Sequence, residues 1–105
     1  MQPKHQRLTD RIQKARDCKR SSARVYSSNI SRIHREFLPR TTYNQNLKWL
    51  HDNSTPLLAK LKKITNLNTQ RNMLAASIVA LDLTNGKDKP KYVKQIAVLN
   101  KLKEE

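Results

Sequence analysis

The chain of 105 residues contains only one glycine, one cysteine and five aromatic residues. Because Gly86 is the sole glycine, a glycine-rich phosphate-binding loop is excluded, and so is a sheet protein with many tight glycine turns. Cys18 has no second cysteine with which to form an intrachain disulfide, and such a thiol is typical of a reducing compartment. Helices are therefore expected.

Residue patterns that are typical of enzymes are also missing. His5, His34 and His51 lie far apart, and no cysteine or carboxylate accompanies them at the spacing of metal ligands. Eight acidic residues scattered among 22 Lys and Arg offer no pair of carboxylates for acid–base catalysis. We therefore expect no enzymatic activity, no metal and no cofactor.

Long apolar runs are absent as well. The first residues, Met1-Gln2-Pro3-Lys4, lack the apolar run of a signal peptide. No stretch approaches the roughly 18 consecutive apolar residues of a membrane span. The sequence predicts a soluble, intracellular protein with no membrane partner.

Positive charge is what the chain has in abundance, with a formal net charge of +14. Residues 1–40 contain eight Arg and three Lys against three acids, whereas residues 41–105 contain ten Lys and one Arg against five acids. Arginine binds phosphate through paired hydrogen bonds and stacks on bases, so its excess near the start favours phosphodiester partners. Double-stranded DNA is the predicted partner, in the nucleus or wherever that DNA lies. A ribosomal, virion or nucleoid polycation is the alternative that composition leaves open.

Composition divides the chain into three parts. Residues 1–20 form a basic arm, predicted to be flexible without a partner, because Leu8, Ile12 and Ala15 recur at helical spacing but are too few for a core. Residues 21–86 form a helical DNA-binding domain, and residues 87–105 a C-terminal helix that could connect to a further domain. The predicted fold is all-α, a small bundle of four or five short helices behind the arm.

Within residues 21–86, apolar periodicity and capping residues predict four helices. The first begins at Ser21 or Ser22 and ends near Leu38, and a short one runs from Thr41 or Thr42 to Leu50. A third follows Pro56, and the most apolar helix, capped by Asn68 or Thr69, is predicted to be central and to end at the left-handed Asn85-Gly86 pair. The last helix carries an apolar stripe without an obvious mate, which comprises Tyr92, Ile96, Leu99 and Leu102.

Candidate DNA contacts follow from these helices. Arg24, Arg32 and Arg35 share a polar face on which we expect no pairing Glu, so phosphate contact is predicted there. The segment from Asn68 to Leu74 opens a helix with free N–H groups and with Gln and Arg side chains that can reach base edges. Thr41 to Asn44, beside Arg40 and Lys48, is a similar helix start. Lys60, Lys62 and Lys63 surround the polar side of the preceding helix.

The predicted DNA-binding residues are Arg24, Arg32, Arg35, Arg40, Lys48, Lys60, Lys63, Thr69, Gln70 and Arg71. Trp49 is predicted to be a core anchor rather than a stacking platform.

The order of these segments resembles the core-binding domain of tyrosine recombinases, the small SAM-like helical domain that precedes the catalytic domain of phage-type integrases. The resemblance covers about residues 21–85 and is carried by Ser21 to Tyr26, Asn46 to Leu50, Leu57 to Ile64 and Thr69 to Ala76. It implies a clamp on duplex DNA for recombination and integration, with backbone contacts from Arg24, Lys48, Thr69, Gln70 and Arg71. The family's catalytic domain and tyrosine nucleophile have no counterpart here, so the resemblance implies either an N-terminal piece of a larger recombinase or a clamp without an active site. A protein-interaction adaptor remains an alternative, with self-association or partner contact through the 90–103 helix.

Overall fold

The computed structural model describes residues 4–44 and 46–104, with side chains for 8–44 and 46–102. Six helices follow one another in these residues, and no strand occurs among them. Their bounds are α1 (Lys4–Arg16), α2 (Arg20–Phe37), α3 (Lys48–Asp52), α4 (Ser54–Leu61), α5 (Leu67–Thr84) and α6 (Lys89–Glu104). The prediction of a small all-α bundle is confirmed, and none of the described helices is both long and apolar enough to cross a membrane.

Helix α5 lies at the centre of the bundle and contacts each of the other five helices. Its apolar side chains cover more than one face, so that it can bury surface against several neighbours at once. The buried ones are Met73, Leu74, Ala76, Val79, Ala80 and Leu81. Its predicted central place is therefore confirmed.

Residues 4–16 form a packed helix, which differs from the predicted flexible arm. Leu8 and Ile12 are fully buried in the common core, and α1 packs along α2 and also contacts α5. Two ion pairs join α1 to the body, from Arg20 to Asp10 at 2.7 Å and from Arg16 to Asp82 at 3.0 Å. Leu8 and Ile12 are enough to hold α1 in place because they pack into a core that other helices also form. The predicted flexible arm rested only on the small core that residues 1–20 could form by themselves.

Contacts at the helix ends place the end of α4 beside both the end of α2 and the start of α5. Lys60 Nζ donates to the carbonyl of Phe37 at 2.7 Å, and Gln70 Nε2 donates to the carbonyl of Leu61 at 2.9 Å, so the end of α2, the end of α4 and the start of α5 lie together. Arg16 bonds Asp82 near the end of α5 and lies 5.9 Å from the ring centre of Tyr26 in the first half of α2. Arg16 therefore lies between the first half of α2 and the end of α5.

The connection between α2 and α3 is not helical where a helix start was predicted. Residues 41–44 and 46–47 lack helical structure, and α3 begins at Lys48 after Leu47, which has a left-handed backbone with φ 61°. Side-chain bonds hold this connection instead, because His34 Nε2 donates to the carbonyl of Thr41 at 2.6 Å and Trp49 Nε1 donates to that of Asn44 at 2.9 Å. Trp49 is 5% exposed and packs edge-on against His34, as predicted for a core anchor.

The N-cap of α5 lies two or three residues before the predicted Asn68 or Thr69, whereas the left-handed end at the Asn85-Gly86 pair is confirmed. Asn66 is the N-cap, and its side chain accepts the N–H of Thr69 at 3.0 Å. At the other end Asn85 takes the left-handed conformation, with φ 56°, and Gly86 does not. Asparagine tolerates this conformation better than most residues, so either member of the Asn-Gly pair could have supplied it. Helix α2 begins at Arg20, and its N-cap Lys19 makes no side-chain cap bond.

The apolar stripe of α6, for which the sequence showed no packing partner, packs against the core of the bundle. Tyr92 and Leu99 are buried against the core, and the Tyr92 hydroxyl donates to the carbonyl of Ser54 at the start of α4. Asp88, just before α6, accepts hydrogen bonds from the hydroxyls of Ser54 and Thr55 and pairs with Lys91. This clasp anchors the start of α6 to the start of α4. Part of the predicted stripe remains in solvent, since Leu102 is half exposed.

Candidate nucleic-acid interface

Seven exposed cations surround one end of the bundle, where α2 and α4 end and α5 begins. We call this group the basic end. Arg35 lies in the last turn of α2 and Arg40 follows that helix, whereas Lys48 starts α3 next to Trp49, which packs on His34 of α2. The members of the basic end are Arg35, Arg40, Lys48, Lys60, Lys62, Lys63 and Arg71, and none of them has a carboxylate partner among residues 8–44 and 46–102.

Lys60 and Arg40 meet at a groove of about 350 Å³ beside the end of α2. Its apolar floor includes Phe37, Leu38 and Pro39. Lys60 also has a structural role here, because its bond to the Phe37 carbonyl places a positive charge at the negative end of a helix dipole. Two of its ammonium protons remain for an external anion.

The carboxylates are concentrated at the opposite end, where α1 and α5 end and α2 and α6 begin. Asp10 pairs with Arg20, Asp82 pairs with both Arg16 and Lys89, and Asp88 takes part in the clasp. The sequence contains no acidic residue between Asp52 and Asp82, the stretch that supplies four of the seven cations. Positive charge is therefore in excess at the basic end, where Glu36 in the last turn of α2 is paired with Arg32, and is locally neutralised at the other end. This separation would orient a polyanion toward the basic end.

The three arginines predicted on α2 have different surroundings. Arg32 forms an ion pair with Glu36 one turn later, which corrects the expectation that no Glu lies at pairing distance. Arg24 is exposed but lies near the start of α2, about 16 Å along the helix from Arg35 at the usual rise per residue. Of the three, only Arg35 belongs to the basic end.

The three residues predicted to bind DNA at the start of α5 differ in their exposure and hydrogen bonding. Gln70 is 3% exposed and its amide is bonded to the Leu61 carbonyl, so its predicted contact with DNA is wrong. The side chain ties α5 to α4 instead. Thr69 is half-buried, and its N–H is taken by Asn66, which leaves one fewer free donor at this helix start. Arg71 is exposed and available.

Lys62 is not among the predicted contacts, although it lies beside Lys63 and is exposed as well. The signal was present in the sequence as a long stretch without acids. The neighbourhood of these cations also depends on the return of α5, whose Gln70, next to Arg71, bonds Leu61 at the end of α4. No periodicity within one helix shows that neighbourhood.

A second groove, of about 330 Å³, lies between α2 and α5. We call it the α2–α5 groove. Side chains from both helices line it, among them Val25, Tyr26 and Asn29 of α2 and Arg71, Asn72 and Ala75 of α5. Arg71 belongs both to this groove and to the basic end. No acidic side chain lines it.

The described part of the chain contains no group of three or more His, Cys, Asp or Glu side chains that could hold a metal ion. Comparison with known proteins finds no matching family model, no similar curated protein and no similar solved structure. The two grooves and the basic end are therefore the parts of the molecule that bear on its function.

Proposed function

We propose that this domain binds duplex DNA through its phosphates at the basic end and has no catalytic activity of its own. The observation that carries the proposal is the convergence of seven exposed, carboxylate-free cations from four parts of the chain. Each Lys or Arg that neutralises a phosphate releases a counterion, and this release is the main driving force of sequence-independent binding.

The helix ends at this site do not cancel its charge. Two helices end here, and each contributes a partial charge of about −0.5 from its free carbonyls, while the start of α5 contributes about +0.5. Seven unit charges exceed these contributions several-fold. An anion approaching the basic end therefore meets a net positive surface.

Salt dependence tests the proposal. If about five to seven phosphates are neutralised, the logarithm of the association constant should fall against the logarithm of salt concentration with a slope of about −4.5 to −6. Fluorescence anisotropy of a labelled duplex at several salt concentrations measures the slope. A slope near zero would refute electrostatic binding. A ribosomal or virion component that condenses RNA, an alternative in the nucleic-acid class, would bind duplex RNA as tightly as duplex DNA.

The resemblance to the core-binding domain supports a more specific role, that of the DNA clamp of a tyrosine recombinase. In this proposal a catalytic domain on a separate segment or chain would hold the opposite face of the duplex. Arg71 and Lys48 of the basic end coincide with positions to which the resemblance assigns backbone contact. A reading frame that continues into a catalytic domain would support the clamp role.

An observation on α6 favours a second candidate function, contact with another protein. Val98 and Leu102, four residues apart on one face of this helix, are 53% and 50% exposed. Sedimentation of the free protein tests self-association through this face. A Val98→Glu substitution should abolish any dimer without affecting DNA binding.

A further inference from the structure

The α2–α5 groove has polar side chains that the fold leaves unused. Asn29, Arg71 and Asn72 line it, and within the described residues none of the three has a side-chain hydrogen-bond partner. An asparagine amide offers a donor and an acceptor side by side, which matches the paired donor and acceptor on the edge of a nucleobase. The guanidinium of Arg71 provides a phosphate ligand in the same groove.

The apolar side of the groove is suited to a flat ring. Val25 is 58% exposed beside it, and Tyr26 contributes a half-buried aromatic ring, one face of which is covered by the Arg16 guanidinium at 5.9 Å from the ring centre. The volume of about 330 Å³ lies within the range of roughly 300–1,000 Å³ that is usual for small-ligand clefts. A flat, anionic ligand with a hydrogen-bonding edge fits these features.

The position of Arg71 connects this groove to the basic end. A DNA strand whose phosphates are bound at the basic end would reach the groove at its next nucleotides. The groove is concave, so it receives a group that protrudes from the DNA rather than entering a DNA groove itself. The Watson–Crick edge of a paired base is already occupied, and only an unpaired base can offer it.

We propose that the α2–α5 groove binds one unpaired nucleotide of a DNA strand held at the basic end. Its base lies against Val25 and Tyr26, its Watson–Crick edge bonds the amides of Asn29 and Asn72, and its phosphate pairs with Arg71. This inference rests on the proposed function, because the basic end supplies the neighbouring contacts. It adds a preference for single-stranded extensions or unpaired positions to the binding of duplex DNA.

The test compares a blunt duplex with the same duplex carrying a short single-stranded extension, using anisotropy titrations of the full chain. The wild type should bind the extended DNA about tenfold more tightly, the effect expected from stacking one base. The Asn29→Ala/Asn72→Ala variant should lose this preference and keep its affinity for the blunt duplex. Asn100→Ala, which removes an exposed amide on α6, is the matched control and should keep the preference.

A second variant guards against a folding defect. Val25→Glu places a carboxylate at an exposed edge of the groove, where it should repel the phosphate and abolish the preference without affecting the thermal melt. Equal binding of both DNAs by the wild type would overturn the inference and leave duplex binding intact. A preference retained by both groove variants would also overturn it. Failure to bind either DNA at low salt would instead refute the proposed function itself.

Discussion

Truncation of Ile12 distinguishes a packed α1 from a flexible basic arm. Ile12 is fully buried in the common core, in a segment that the sequence alone predicted to be without a core. Changing it to Ala removes three carbon atoms from that core. At about 0.8 kcal/mol per buried methylene the transfer loss is about 2.4 kcal/mol. The cavity left behind raises the expected loss in the free energy of unfolding to about 3 kcal/mol.

Urea denaturation followed by circular dichroism measures this loss directly. A decrease of about 3 kcal/mol corresponds to a melting temperature lower by about 12 °C or more in a domain of this size. Lys14→Ala, at an exposed position of the same helix, is the control and should change stability by less than about 0.5 kcal/mol. An Ile12→Ala variant as stable as this control would show that α1 does not belong to the folded core.

Three further changes test other parts of the structure. Gln70→Ala should lower the free energy of unfolding by about 0.5–1.5 kcal/mol, because it removes a buried hydrogen bond from the Leu61 carbonyl, which keeps the N–H of Ile64, while the folded variant keeps its affinity for DNA. Asn85→Ala should cost about 1 kcal/mol, and Asn85→Gly should not, because the position has a left-handed backbone; paired thermal melts decide this. Hydrogen bonding from Ser54 lowers the pKa of Asp88 below its ordinary value of 3.8. The ionised carboxylate therefore stabilises the fold at neutral pH, and this stabilisation is lost as the pH falls from 3.8 through the lower pKa of the folded state. Asp88→Asn should therefore weaken the acid dependence of unfolding in that range, and an unchanged acid profile would show that the clasp does not stabilise the fold.

The spacing of apolar residues predicted the core helices well, because this spacing is a property of each helix alone. Ile30 and Ile33 of α2 and Leu74 and Leu81 of α5 are buried, as their spacing indicates. Gln70 lies on the same stripe as Leu74, one turn earlier, so its burial was readable from the sequence. Polarity alone suggested that it faces solvent, although a buried amide needs only a suitable carbonyl.

Two features could not be predicted because they depend on tertiary contacts. The burial of Leu8 and Ile12 depends on a gap between helices that are distant in sequence. The basic end depends on the return of α5 to the end of α4, which the bond from Gln70 to the Leu61 carbonyl shows. The Arg32–Glu36 ion pair, by contrast, follows from i,i+4 spacing and was open to sequence reasoning.

A comparison of two double variants with equal charge tests the basic end most directly. Lys62→Gln/Lys63→Gln removes two charges from the basic end, and Lys19→Gln/Lys87→Gln removes two exposed charges near the opposite end. The measurement is the salt slope of duplex DNA binding by anisotropy. The first variant should bind more weakly, with a slope shallower by about 2, whereas the second should keep nearly the wild-type slope. Equal losses in the two variants would show that DNA responds only to net charge, and would contradict a binding site at the basic end.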